Sequence, residues 1–133
     1  MMPEFRMPTP PRPTDAELSI LRVLWTRGPS TVRQVLDELA GERGTGYTTV
    51  LKLLQIMADK GLVARDETDR THIYEARYSE ADTQRQLVDD LLDRAFGGSA
   101  QQLVMSALSS RKTSRRDLAE IRRLIEAREG GPK

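Results

Sequence analysis

Gly44-Thr-Gly-Tyr-Thr-Thr-Val-Leu-Lys-Leu-Leu-Gln-Ile-Met-Ala-Asp-Lys-Gly61 is the stretch on which the fold turns. Its spacing predicts a helix from about Tyr47 to Lys60, with Gly46 in the turn before it and Gly61 as a left-handed stop. At about 100° per residue, Val50, Leu53, Leu54 and Met57 share one side. Thr48, Lys52, Gln55 and Asp59 fall on the other. A helix buried along one stripe, offering Thr, Lys and Gln on the other, has the shape and donors to lie in a DNA major groove. Its N-terminus, where backbone N–H groups lack helical partners, favours an anion. Taken alone, the same pattern also describes any amphipathic helix with a solvated face, so its neighbours decide the reading.

Upstream, Thr14-Asp-Ala-Glu17 has the form of a capping box, opening a helix from Asp15 to Thr26 with Leu18, Leu21, Leu24 and Trp25 as its apolar stripe. Trp25 reads as core. Gly28-Pro29 ends this helix. Ser30 is expected to cap a second helix, Thr31 to Ala40, with Val32, Val35, Leu36 and Leu39 inward and Arg33, Asp37 and Glu38 outward. A glycine-rich turn, Gly41 to Gly46, contains Arg43 and leads into the organising helix. Two amphipathic helices joined this way suggest a helix-turn-helix with the second as reader. Downstream, Leu62–Arg65 and Thr71–Ala76 read as two short strands, with Asp66–Arg70 as the hairpin loop between them. Three helices followed by a hairpin make a winged helix. In it Thr48 and Lys52 face the groove, Gln55 continues their stripe, and Thr49 flanks it. Ser30, Thr31, Arg43 and Arg70 are the expected phosphate contacts. Arg65 and His72 are weaker candidates, and Asp66, Glu67 and Asp69 oppose deep phosphate contact at the tip.

Composition neither demands nor forbids this partner. Charged residues are 31% of the 133, but 21 basic residues face 20 acidic ones, spread evenly through the chain, so positive groups must be arranged locally. The absence of cysteine excludes disulfides, thiolate metal sites and a Cys nucleophile, and the single histidine excludes a His cluster or triad; no cofactor is expected. No apolar run is long enough to span a membrane. The proline-rich residues 1–13 lack a signal peptide's apolar core and read as a disordered arm, which implies a cytoplasmic protein.

The winged helix is expected over residues 14–78, a helical region over 79–129 and a fraying tail over 130–133. Ser79 caps a helix from Glu80 to Phe96 carrying Leu87, Val88, Leu91 and Leu92; Gly97-Gly98 breaks it. A fifth helix, Ser99 to Ser109, carries Leu103, Val104 and Leu108. A sixth, capped by Ser114, carries Leu118, Ile121, Leu124 and Ile125. Each is apolar on one side only, and together they offer too little core to stand alone. A second copy of the same tail is the economical partner, giving a twofold homodimer; the alternative is a tail folded back on its own winged helix.

Thr14–Trp25, Thr31-Val-Arg-Gln-Val-Leu36, Tyr47-Thr-Thr-Val50, Asp59-Lys-Gly-Leu-Val63 and Arg70–Tyr74, in that order, resemble the penicillinase-repressor family of the BlaI/MecI type. The likeness runs from about Thr14 to Ala127 and includes the Phe96-Gly-Gly98 break. It implies a mainly α fold with a small β-hairpin: an N-terminal winged helix and a C-terminal helical dimerisation region. It implies a cytoplasmic repressor of palindromic double-stranded DNA operators, inactivated in several members when a regulatory protease cuts the dimerisation region. By the same resemblance DNA contacts carry over to Thr48, Thr49 and Lys52, with Tyr47 beside them, and the wing arginine is Arg70. Two departures matter. Staphylococcal members are cut at an Asn-Phe bond where this chain reads Leu103-Val-Met-Ser-Ala-Leu108, so neither that cut nor a link to β-lactams carries over. Copper-responsive relatives carry a cysteine metal motif that is missing here. A protein-interaction winged helix is the competing class, favoured by near-neutral charge. An enzyme is the weakest reading: Asp89, Asp90 and Asp93 form a solvated face, and adjacent carboxylates do not share one side of a helix.

Overall fold

The computed structural model describes residues 11–39, 46–110 and 112–130. Its elements are α1 (Asp15–Arg27), α2 (Val32–Leu39), α3 (Tyr47–Lys60), β1 (Val63–Asp66), β2 (Ile73–Ala76), α4 (Glu80–Ala95), α5 (Ala100–Ser110) and α6 (Arg115–Glu129). The fold is mainly α with one antiparallel hairpin, as the sequence predicts. The chain divides into two compact units between Asp89 and Asp90, inside α4.

In the first unit the capping box forms as expected. Glu17 N–H donates to the Thr14 hydroxyl at 3.2 Å, and Thr14 N–H donates to Glu17 Oε1 at 2.9 Å. Ile20, Leu21 and Leu24 of α1, Val32, Val35 and Leu39 of α2, and Val50, Leu54 and Met57 of α3 meet Leu62, Val63 and Tyr74 in one core. The α3 boundaries are those expected, and its end is a Schellman motif. Gly61, at φ 85°, donates to Ala58 O, and Leu62 donates to Met57 O at 2.9 Å. That second bond explains why β1 begins one residue later than expected: Leu62 belongs to the helix stop.

The hairpin pairs Val63 with Ala76 through Asp66 with Ile73. Its loop covers residues 67–72, so Thr71 and His72 lie outside the strand anticipated for them. Asp66 sets this boundary. It ends β1, and its carboxylate accepts the Thr68 N–H at 2.9 Å, turning the chain at once. A third extended segment joins the hairpin at Ser30. Ser30 N–H donates to Tyr74 O at 2.9 Å and Tyr74 N–H to Ser30 O at 2.8 Å, tying the α1–α2 turn to the wing.

One helix start corrects the expectations, and another agrees with them. Ser30 does not cap α2; its hydroxyl donates to Gly28 O at 2.8 Å. Thr31 is the cap, in a reciprocal box with Gln34: Gln34 N–H donates to the Thr31 hydroxyl at 3.1 Å, and Thr31 N–H to Gln34 Oε1 at 3.0 Å. α4 is capped by Ser79, whose hydroxyl accepts from Asp82 N–H. The Trp25 indole donates to Tyr78 O at 3.0 Å, and Thr83 is buried, so the first unit continues past the expected end at residue 78.

The second unit contains the end of α4, α5 and α6. Gly97 and Gly98 both have positive φ, and Gly98 N–H closes α4 on Leu92 O at 2.8 Å. Ser99 caps α5 through Gln102 N–H, and Ser114 caps α6 through Asp117 N–H. Neither α5 nor α6 contains a buried residue. Val104, Met105, Leu108, Leu118, Leu124 and Ile125 are all exposed, as are Val88 and Leu91 of α4.

Candidate nucleic-acid interface

The core fixes which way α3 faces. With Val50, Leu54 and Met57 fully buried, the helical period turns Thr48, Lys52, Gln55 and Asp59 outward, and all four are exposed. Thr49 is exposed beside them, with Ile56 on the same flank. Gly46, the N-cap, supplies no side-chain cap, so nothing from that residue covers the first turn.

The helix is braced from two sides. Near its C-terminus Lys60 Nζ donates to Glu17 Oε1 at 2.7 Å, joining α3 to α1. Burial alone would raise the Glu17 carboxyl; the Lys60 hydrogen bond and charge, with the Thr14 N–H, outweigh it and the net shift is downward. At its N-terminus the Arg33 guanidinium of α2 lies over the Tyr47 ring, 5.4 Å from the centroid. Neither brace was read from the sequence. In the sequence Arg33 reads only as outward-facing, and Lys60 only as the last residue of its helix. A capping-box glutamate has a reason of its own to exist, which hid its second partner.

The other expected phosphate residues separate. Thr31 is half-buried and its hydroxyl already accepts a helix N–H, as at any helix cap. Ser30 is 0% exposed and its hydroxyl is spent on Gly28 O, so it cannot reach a phosphate; its place is in the frame that carries the wing. Arg43 lies outside the described residues. Arg70 is exposed on the wing loop, and no carboxylate among the described residues pairs with it. Arg65 is engaged: the Tyr74 hydroxyl and the Glu67 carboxylate, 2.6 Å away, both raise its pKa and hold it in place. The Asp66 carboxyl is held below the ordinary carboxylate range by the Thr68 hydroxyl and N–H, so the wing tip stays acidic. His72 is half-buried at the loop end. No cluster of potential metal ligands is present among the described residues.

The family model for the penicillinase repressor matches residues 13–127. The chain belongs to the penicillinase repressor family. It is 35% identical over 92 residues to the transcriptional regulator BlaI of Mycobacterium tuberculosis, covering 68% of this chain and 67% of that one. It is 22% identical over 116 residues to the penicillinase repressor of Bacillus licheniformis, covering 87% and 91%. Among solved structures, the DNA-binding domain of the repressor BlaI covers 57% of this chain and 93% of its own, at 25% identity and a TM-score of 0.49. The family match spans both units, so the tail helices belong to the same family framework as the winged helix.

Proposed function

We propose that the protein is a cytoplasmic, dimeric transcriptional repressor that binds a palindromic double-stranded DNA operator through α3. One observation carries the reading: α3 is locked by its buried stripe so that Thr48, Lys52 and Gln55 stand exposed along one face. Thr48 and Lys52 meet base edges, with Thr49 and Tyr47 at the flank; Arg70 meets a phosphate from the wing. The dimer is made by the exposed apolar faces of the tail helices, each of which needs cover from a second chain. Two linked reading heads then bind two half-sites far better than one. Family membership supports the repressor role, and no helix among the described residues is long and apolar enough to cross a membrane.

The test is binding of the full chain to a duplex selected from a randomised library. Affinity falls log-linearly with salt, and Thr48→Ala with Lys52→Ala together weakens binding by at least about tenfold. Unchanged affinity in the double variant rejects α3 as the reader. Failure to select any duplex supports the protein-interaction reading, which near-neutral charge and the acidic wing tip favour.

Relief of repression follows from a cut between Gly97 and Ser110, which detaches α6 and its apolar face. Support comes from the two positive-φ glycines and from α5, which holds no buried residue, features that open locally at low cost. Following the chain by mass while the regulated gene switches on tests this; full-length protein persisting through induction rejects proteolysis.

A further inference from the structure

We propose that Arg33, stacked on Tyr47, is a phosphate clamp that sets the N-terminus of α3 on the DNA backbone. This rests on the duplex-binding reading above and adds to it a residue from α2.

The first ground is which cations are already used. In the winged helix Lys60 is bound to Glu17, Arg65 to Glu67, and Arg27 faces Glu38 at 3.8 Å. These pairs are neutralised from within. Among the described residues of the winged helix Arg22, Arg33, Lys52, Arg70 and Arg77 have no carboxylate partner, so they are what an approaching polyanion meets. Arg22 lies away from α3, in the α1–α2 groove with Arg27 and Glu38. Arg77 sits near Gly61, at the C-terminal end of α3. Arg33, in contrast to Arg22 and Arg77, lies against the first residue of α3, the end whose N–H groups favour an anion.

The second ground is geometry. With its central carbon 5.4 Å from the ring centroid, the Arg33 guanidinium is held by the ring, and no carboxylate among the described residues occupies its N–H donors. The ring removes rotational freedom that a solvated arginine would lose on binding. Arg33 and Tyr47 are both exposed, so the stack is open to a ligand. A fixed planar fork with unspent donors matches a phosphate's paired oxygens. Because Arg33 is the second residue of α2, which Thr31 caps, a phosphate held there also ties α2 to the backbone on which α3 lands.

The test uses the full chain with a selected duplex and a scrambled duplex of equal length, over a salt series. Each phosphate contact scales the binding constant as salt to the power of about −0.9, which at 0.1 M is roughly eightfold. Arg33→Gln is expected to weaken both duplexes by roughly that factor per protomer and to flatten the salt slope by about one per protomer. Tyr47→Leu weakens binding, and its effect with Arg33→Gln is less than additive. Trp25 fluorescence in urea verifies that each variant is folded. An unchanged salt slope in folded Arg33→Gln overturns the proposal even if affinity drops, as does a loss confined to the selected duplex. Absence of wild-type duplex binding overturns the functional reading itself, a distinct result.

Discussion

Replacing Lys60 with methionine tests how the reading helix is held. Methionine keeps the apolar stem and removes the ammonium that lies 2.7 Å from Glu17 Oε1. The Glu17 side chain is 3% exposed, so its carboxylate would stay buried with only the Thr14 N–H and hydroxyl nearby. Breaking a fully buried pair costs about 3–5 kcal/mol. The Lys60 side chain is 33% exposed, so water already weakens the pair, and about 1–3 kcal/mol is expected. For a unit of this size each kcal/mol lowers Tm by roughly 4–8 °C. The assay is urea unfolding followed by Trp25, the only tryptophan, whose indole is bound to Tyr78 O inside the first unit.

The pH dependence sharpens the test. The folded Glu17 pKa lies below the ordinary 4.5, so its stabilisation is complete above that value and is lost as pH falls through the lower folded pKa. In Lys60→Met the raising effect of burial is no longer outweighed by Lys60. The stability gap between the two proteins is therefore widest near neutrality and narrows below about pH 4.5. A gap under about 0.5 kcal/mol at pH 7, or one that stays constant into acid, refutes the reasoning.

Leu54→Ala, at a fully buried position of α3, costs about 2–5 kcal/mol by the same urea assay. Gly61→Ala costs about 1–2 kcal/mol, because φ is 85° while the space for a Cβ is adequate; a thermal melt reads it. Ser30→Ala loses one buried hydroxyl bond and about 0.5–1.5 kcal/mol of stability, with no change in the salt slope of duplex binding. Leu124→Asp with Ile125→Asp places charge on an exposed apolar face of α6 and shifts the chain to monomer in light scattering, leaving the Trp25-monitored transition in place.

Elements whose signals are local were legible in the chain. The Thr14–Glu17 box, the whole extent of α3 and the Gly61 stop depend on contacts within a few residues, so composition and spacing suffice for them. The exposed stripe of α3 was legible for the same reason, since the helical period alone sets Thr48, Lys52 and Gln55 opposite Val50, Leu54 and Met57. The order of helices and strands then pointed to a winged helix, and the family match agrees with it. Tertiary structure decided what depends on distant partners. Ser30 has the chemistry of a cap, yet pairing with Tyr74, far along the chain, draws it into the hairpin and leaves capping to Thr31. Glu17 and Lys60 each satisfy a local rule, and only the packing of α1 on α3 brings their charges to 2.7 Å. Arg33 reads as one more exposed arginine until α2 and α3 cross and set it over Tyr47. Periodicity reports which side of an element is buried; it carries no information about which residue, tens of positions away, will lie across from it.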